Sequence, residues 1–203
     1  RNTKRMMNII NHLRTFSRQS KAEYYALDIN NVIEESFLMV GEQLRLRNIE
    51  VKKSLDPELP KIKGDTNQLE QVFLNLITNA RDAITGKYKN EKPLNGNTES
   101  IEIITKPSDT DDGLVDILFK DSGNGIKEKD QTSIFDPFYT TKEVGKGTGL
   151  GLSISYGIIS DHNGQIEVAE TGPEGTMFKV KLPIADLNSG SDTVGGKKVK
   201  KTA

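Results

Sequence analysis

Cysteine is absent from the 203 residues, and histidine occurs only twice. The first absence excludes disulfides, thiolate metal sites and a cysteine nucleophile, and fits a reducing compartment. The scarcity of histidine argues further against a structural zinc site. No apolar run approaches twenty residues and the mean hydropathy is -0.54, so this segment holds no membrane span. Neither sign of charge dominates: 28 Lys and Arg face 29 Asp and Glu, a net of -1. That balance argues against a nucleic-acid coat or a polybasic membrane anchor. No signal-peptide pattern opens the chain. It starts at Arg1 without an initiator methionine and reads as a piece of a longer protein. What is present, 34% hydrophobic and 28% charged residues, suffices for one ordinary core with an attached element.

Four regions of the chain differ in texture. Residues 1–20 set Met6, Ile9, Ile10, Leu13 and Phe16 on a narrow helical stripe, the pattern of half a helical hairpin. From residue 22 the pattern is that of a folded domain. Asp28 to Asn30 offer caps for a helix through Val32, Phe37 and Leu44, and residues 49–55 alternate like a strand. Asp65 with Gln68 predicts an N-cap and capping box for a helix through Leu69, Phe73, Ile77 and Ile84. Residues 86–100 are polar and predict a loop. Strands are expected at 101–105 and 114–120, a helix at 150–160, and a closing hairpin at 165–170 and 176–182. Residues 186–203, rich in Ser, Gly and Lys, predict a tail or linker.

Three constellations carry chemistry. Asn75, Asn79 and Asp82 stand at i, i+4 and i+7 on one helical face, where oxygen atoms can meet a divalent cation and phosphate. A plain solvated face accounts for them equally well. Asp121-Ser122-Gly123-Asn124-Gly125-Ile126 follows an apolar strand, so a partly desolvated carboxylate can be aimed at a ligand; a tight turn has the same signature. Residues 135–142, Phe-Asp-Pro-Phe-Tyr-Thr-Thr-Lys, precede glycines at 145, 147, 149 and 151 and then an apolar helix. Such a loop can turn its N–H groups toward an anion, helped by the helix dipole and by Lys142 and Lys146. It has no Walker A spacing, and a flexible linker is the competing reading.

In order and content, these elements over residues 27–183 resemble the ATP-binding catalytic domain of sensor histidine kinases, with its N box, glycine boxes and F box. The nitrogen-regulatory type is the nearest in kind. The resemblance implies an α/β fold: a two-layer sandwich (the Bergerat fold) whose mixed sheet has helices on one face, preceded by one bundle helix. It divides the chain into the second helix of a dimerisation and phosphotransfer hairpin (1–21), the ATP-binding domain (22–185) and a tail (186–203). It implies ATP and Mg²⁺ as ligands. Asp121 would accept from the adenine amino group, with Gly123, Gly125 and Ile126 around it and Thr176 reaching adenine through water. Asn79 would bind Mg²⁺, and Asn75 would do so directly or from just behind. Gly147, Thr148, Gly149, Leu150, Gly151 and Leu152 would cradle phosphates, with Thr141 and Lys142 beside them. Family members often carry Arg where Thr140 stands, so Lys142 is the expected phosphate-facing cation; some also carry Lys where Asp82 stands, so no phosphate contact is expected from that position.

One position separates the branches of that superfamily. Its hydrolytic ATPases place a glutamate base four residues before the Mg²⁺-binding asparagine, and here the position is Asn75. An amide cannot take a proton from water, which favours transfer to a protein side chain. A chaperone-like or topoisomerase-like ATPase and a non-catalytic nucleotide-binding module are the alternatives. His12, followed by Leu13-Arg14 rather than an acidic residue, does not match the family's acceptor, so the phosphoacceptor is expected outside this segment. His162, before Asn163-Gly164, suits a helix end where a cation or a C-cap partner is favoured. The implied partners are the phosphoacceptor hairpin, a second copy in the full-length dimer, and a response regulator. The implied compartment is cytoplasmic.

Overall fold

Two aspartates start the two helices that supply nearly half of the buried core. In the computed structural model, which describes residues 23–87, 98–143 and 147–185, a short strand β1 (Tyr25–Leu27) leads into helix α1 (Ile29–Arg45). Asp28 caps α1 by accepting the Asn30 N–H at 2.9 Å. Its apolar residues recur at helical spacing, so Ile29, Val32, Ile33, Phe37, Val40 and Leu44 are buried on one side. After β2 (Ile49–Leu55) and β3 (Ile62–Gly64), which pairs with β1, helix α2 (Thr66–Lys87) buries Leu69, Val72, Phe73, Leu76, Ile77, Ala80 and Ile84. The Phe73 ring stacks on Phe119 at 5.5 Å, joining α2 to the sheet.

The remaining elements are β4 (Glu99–Pro107), β5 (Leu114–Asp121), a single turn α3 (Glu128–Gln131), helix α4 (Gly151–Asp161), β6 (Gln165–Gly172) and β7 (Gly175–Pro183). Five strands form one mixed sheet in the order β2-β4-β5-β7-β6, with β2 parallel to β4 and all other pairs antiparallel. Alternation along the central strands turns Ile101, Ile103, Val115, Ile117, Phe119, Phe178, Val180 and Leu182 into the core, against α1, α2 and α4. The layers are therefore those expected from the sequence.

Some details differ. The expected loop at 86–100 is shorter at both ends, because α2 runs on to Lys87 and β4 begins at Glu99. Lys87 lies in the last turn of α2, where a cation suits the helix dipole, and its ammonium donates to the Ser122 carbonyl at 3.0 Å. The β1–β3 ribbon and α3 had no expectation. The bundle helix with His12 (1–21) and the tail (186–203) lie outside the described residues.

The capping box at Asp65 is only half made. Asp65 accepts the Gln68 N–H at 3.1 Å as expected, but its own N–H donates to His162 Nε2 at 3.1 Å, not to Gln68. His162 caps the end of α4, as predicted, and it is buried there. With Nε2 accepting, the proton sits on Nδ1, which donates to the Ile158 carbonyl at 2.7 Å. Burial pushes the His162 pKa down, against the pull of the Ile158 carbonyl and of Asp65 and Asp161. A depressed folded-state pKa means that the unfolded chain takes up the proton first as pH falls. The stability advantage of wild type over His162→Gln should accordingly shrink from about pH 7 to about pH 5. An advantage that stays constant across that range in thermal melts would mean that His162 carries no protonation cost.

Candidate functional site

Asp121 is a carboxylate placed where the strand pattern calls for a core residue. It continues the inward series Val115, Ile117, Phe119 at the end of the central strand, between Ile101 of β4 and Thr176 of β7. Only 5% of it is exposed, and Oδ1 accepts the Gly123 N–H at 2.8 Å. Burial raises its pKa from the usual 3.8 to about 6, offset in part by the N–H groups of Gly123 and Thr176 and by Lys87. Beside it, Thr171 accepts the Ile126 N–H at 2.8 Å and pairs with the Thr176 hydroxyl at 3.2 Å. Gly125 runs against the Gly172 carbonyl, where a Cβ would stand 2.0 Å away.

On α2, Asn75, Asn79 and Asp82 do share a face, but they have different partners. The Asn75 amide donates to the Gly151 carbonyl at 3.0 Å and to Ser155 Oγ at 3.2 Å, tying α2 to the first turn of α4. Asn79 Oδ1 lies 3.4 Å from Lys142 Nζ, which also binds Asp82 Oδ2 at 2.6 Å. Asp82 Oδ1 accepts from Arg81 at 3.0 and 2.7 Å. Burial pushes the Asp82 carboxyl up, but the Lys142 and Arg81 hydrogen bonds outweigh it and hold its pKa below the ordinary value.

Above this face the chain folds back on itself. Phe138 adopts φ +68° and donates its N–H to the Gly149 carbonyl at 2.8 Å. Gly149 has φ +67°, and a Cβ there would meet the Phe138 carbonyl carbon at 2.4 Å, so glycine is required on both counts. Tyr139 anchors the segment by donating its hydroxyl to buried Asp130 at 2.7 Å. Gly147 passes Thr140 and Lys142 closely, Thr141 is exposed beside them, and Thr148 Oγ1 accepts the Leu150 N–H at 3.4 Å. Leu150 stands at the N-cap of α4 and offers its first turn no capping side chain, and the N–H groups of such a turn suit an anion.

Residues 64–186 match the family described as histidine kinase-, DNA gyrase B- and HSP90-like ATPases. The chain belongs to this family. Among relatives of this ATPase domain, the two-component sensor PprA of Pseudomonas aeruginosa is 36% identical, over 89% of this chain and 19% of its own length. The sensory histidine kinase/phosphatase NtrB of Azospirillum brasilense is 34% identical, over 90% of this chain and 45% of its own. The chain thus spans less than half of these sensor proteins. Among solved structures, the nucleotide-free catalytic domain of histidine kinase ThkA superposes with a TM-score of 0.65 at 32% identity, covering 80% of this chain and 96% of that one. ThkA in complex with the response regulator TrrA gives 0.69 at 26% identity, covering 91% and 48%. The Bergerat-type fold is that of histidine kinase catalytic domains.

The fold of this ATPase domain gathers the expected residues in two groups: Asp121 with Gly123, Gly125, Ile126 and Thr176, and Asn75 and Asn79 with Lys142 and the 147–152 turn. Val144, Gly145 and Lys146 lie outside the described residues. Sequence reasoning missed Thr171, Asp130 and Ser155, each of which acts by holding another site residue. No local pattern announces a partner that is distant in sequence, although Asp130 and Ser155 are buried polar residues on short helical faces. Among the described residues no group of three His, Cys, Asp or Glu could hold a metal ion. The Asn79 side-chain oxygen is a donor of the kind Mg²⁺ takes, one or two such side chains sufficing beside substrate phosphates, whereas both Asp82 oxygens are engaged by Arg81 and Lys142. No helix among the described residues is long and apolar enough to cross a membrane.

Proposed function

We propose that this domain binds ATP with Mg²⁺ and supplies the γ-phosphoryl group to a histidine outside this segment, as the kinase domain of a two-component sensor. Asn75 carries the reading. It stands where a hydrolase would keep a glutamate base, and its amide hydrogens are engaged by Gly151 and Ser155. A residue so used braces the site and takes no proton from water. Asp121 accepts from the adenine amino group, with Thr176 beside it reaching the ring through water and Gly123, Gly125 and Ile126 shaping the floor. Mg²⁺, when bound, neutralises charge on the phosphates. Asn79 supplies an oxygen to it, with Asn75 directly behind. Backbone N–H groups of Gly147, Thr148, Gly149, Leu150, Gly151 and Leu152 cradle the phosphates, and Thr141 and Lys142 close the other side.

In the transfer, the bond from the γ-phosphorus to its bridging oxygen breaks and a bond to the acceptor imidazole nitrogen forms. The domain's part is to hold ATP and the γ-phosphorus in line with that nitrogen. The acceptor hairpin, a second copy in the full-length dimer and a response regulator complete the relay in the cytoplasm; ThkA, in its complex with TrrA, is a structural relative with a response regulator bound.

Incubation of this chain with γ-labelled ATP should leave it unlabelled and release phosphate slowly. A fragment carrying the upstream histidine hairpin, added to the mixture, should become labelled. Rapid steady-state phosphate release without transfer would favour a hydrolytic ATPase. Strong label on the chain alone, lost in His12→Gln, would make His12 the acceptor.

A further inference from the structure

Lys142 sits on an irregular segment, between exposed Thr141 and exposed Glu143, yet its ammonium has a fixed address on α2. That address is built in steps from two helices. Gln43 of α1 accepts from Arg81 at 2.7 Å. Arg81 grips one oxygen of Asp82 through two nitrogens, and the other oxygen of Asp82 takes Lys142 at 2.6 Å. Asn79 Oδ1 is 3.4 Å from the same ammonium. We propose that Asp82 is a positioning residue: it fixes the Lys142 ammonium beside Asn79, so the cation that meets the phosphates is placed by α2 and not by the loop that bears it. This inference rests on the ATP-binding reading above.

The chemistry permits both contacts at once. An ammonium has three hydrogens, so Lys142 can keep Asp82 and still donate to a phosphate oxygen. An unanchored lysine carries more rotamer freedom than almost any other side chain and loses it on meeting a ligand. A carboxylate near ATP also repels it, because like charges disfavour each other. The two effects have opposite signs, and that makes the inference testable. Bare repulsion predicts that removing the Asp82 charge tightens ATP. Positioning through Lys142 predicts that it weakens ATP while Lys142 is present, and ceases to do so when Lys142 is gone.

The experiment is a double-mutant cycle read by calorimetric binding of ATP to the whole chain in EDTA, which keeps the metal out of the comparison. Asp82→Asn should weaken ATP by about tenfold, and Asp82→Glu should recover most of the loss. In a Lys142→Met background the same Asp82→Asn change should leave ATP unchanged or bind it more tightly. Adenosine, which has no phosphates, should bind all variants alike. Tighter ATP binding by Asp82→Asn with Lys142 present would make Asp82 an opposing charge and overturn the inference. Equal weakening in both backgrounds would overturn it too, since Asp82 would then act without Lys142. Parallel loss of adenosine binding would reduce Asp82 to a structural residue. If wild type binds neither ligand, the ATP reading itself falls; if wild type binds ATP and the cycle is additive, only the positioning role does.

Discussion

Asp121→Asn is expected to weaken ATP binding by about 10- to 100-fold, the value of one hydrogen bond to a charged acceptor. The carboxylate can only accept, whereas an amide in the same place can turn its NH₂ toward the adenine amino group and oppose it. The same change should narrow the preference for ATP over GTP, because the carbonyl of guanine repels an acceptor but can meet a donor. Titration calorimetry with both nucleotides measures this, and equal ATP affinities for wild type and variant would remove Asp121 from the site. Since its pKa is raised to about 6, ATP affinity should also fall as pH drops through that value, and Asp121→Asn should lack this component. The effect on the empty domain has the opposite sign. A folded-state pKa above the unfolded one gives stability that is complete below about pH 3.8 and is lost as pH rises through about 6.

The other large effect is on the fold. Gly175 opens β7 at φ +137°, and a Cβ there would stand 1.8 Å from the Asp121 carbonyl oxygen. Neither the backbone angle nor the contact admits a side chain, and the opposing atom is backbone that cannot turn aside. Gly175→Ala should destabilise the domain by about 2–4 kcal/mol, from strain in a sparsely populated conformation plus overpacking. What remains folded should bind ATP poorly, because the displaced atom belongs to Asp121 itself. Gly157→Ala is the matched control: it lies inside α4 with nothing within 4 Å of the new carbon. It should be neutral or stabilising by up to about 1 kcal/mol, since alanine favours a helix. Comparable melting temperatures for Gly175→Ala and wild type would show that the β5–β7 junction yields more easily than its geometry implies.

How far each feature was legible depends on the range of the interaction behind it. The helices through Val32, Phe37 and Leu44 and through Leu69, Phe73, Ile77 and Ile84, and the strands expected at 101–105, 114–120 and 176–182, announce themselves through period, since each is amphipathic on the scale of a few residues; their ends, mostly a little further out, do not. So does the position of Asp121, because its place in the alternating series already puts a carboxylate on the buried face. The β1–β3 ribbon was not legible: three residues give no period, and even its nearest pair in sequence, Leu27 with Ile62, lies 35 positions apart. Asp65 shows the limit in one residue. Its side chain made the local cap to Gln68 that the pattern predicts, while its N–H went to His162, 97 residues on.

By itself, the sequence determined the inventory: which faces are apolar, which turns need glycine, that no thiol or glutamate base is available, and that Asn75, Asn79 and Asp82 share a face. Those properties follow from residue chemistry and from neighbours within one or two turns. Only the tertiary structure decided the pairings. Lys142 meets Asp82 across 60 residues and Asn75 meets Gly151 across 76, because the layering of α2, α4 and the sheet brings them together. Burial likewise set the state of Asp121 and His162, raising one pKa and lowering the other, since desolvation depends on what packs around a group and not on its place in the chain.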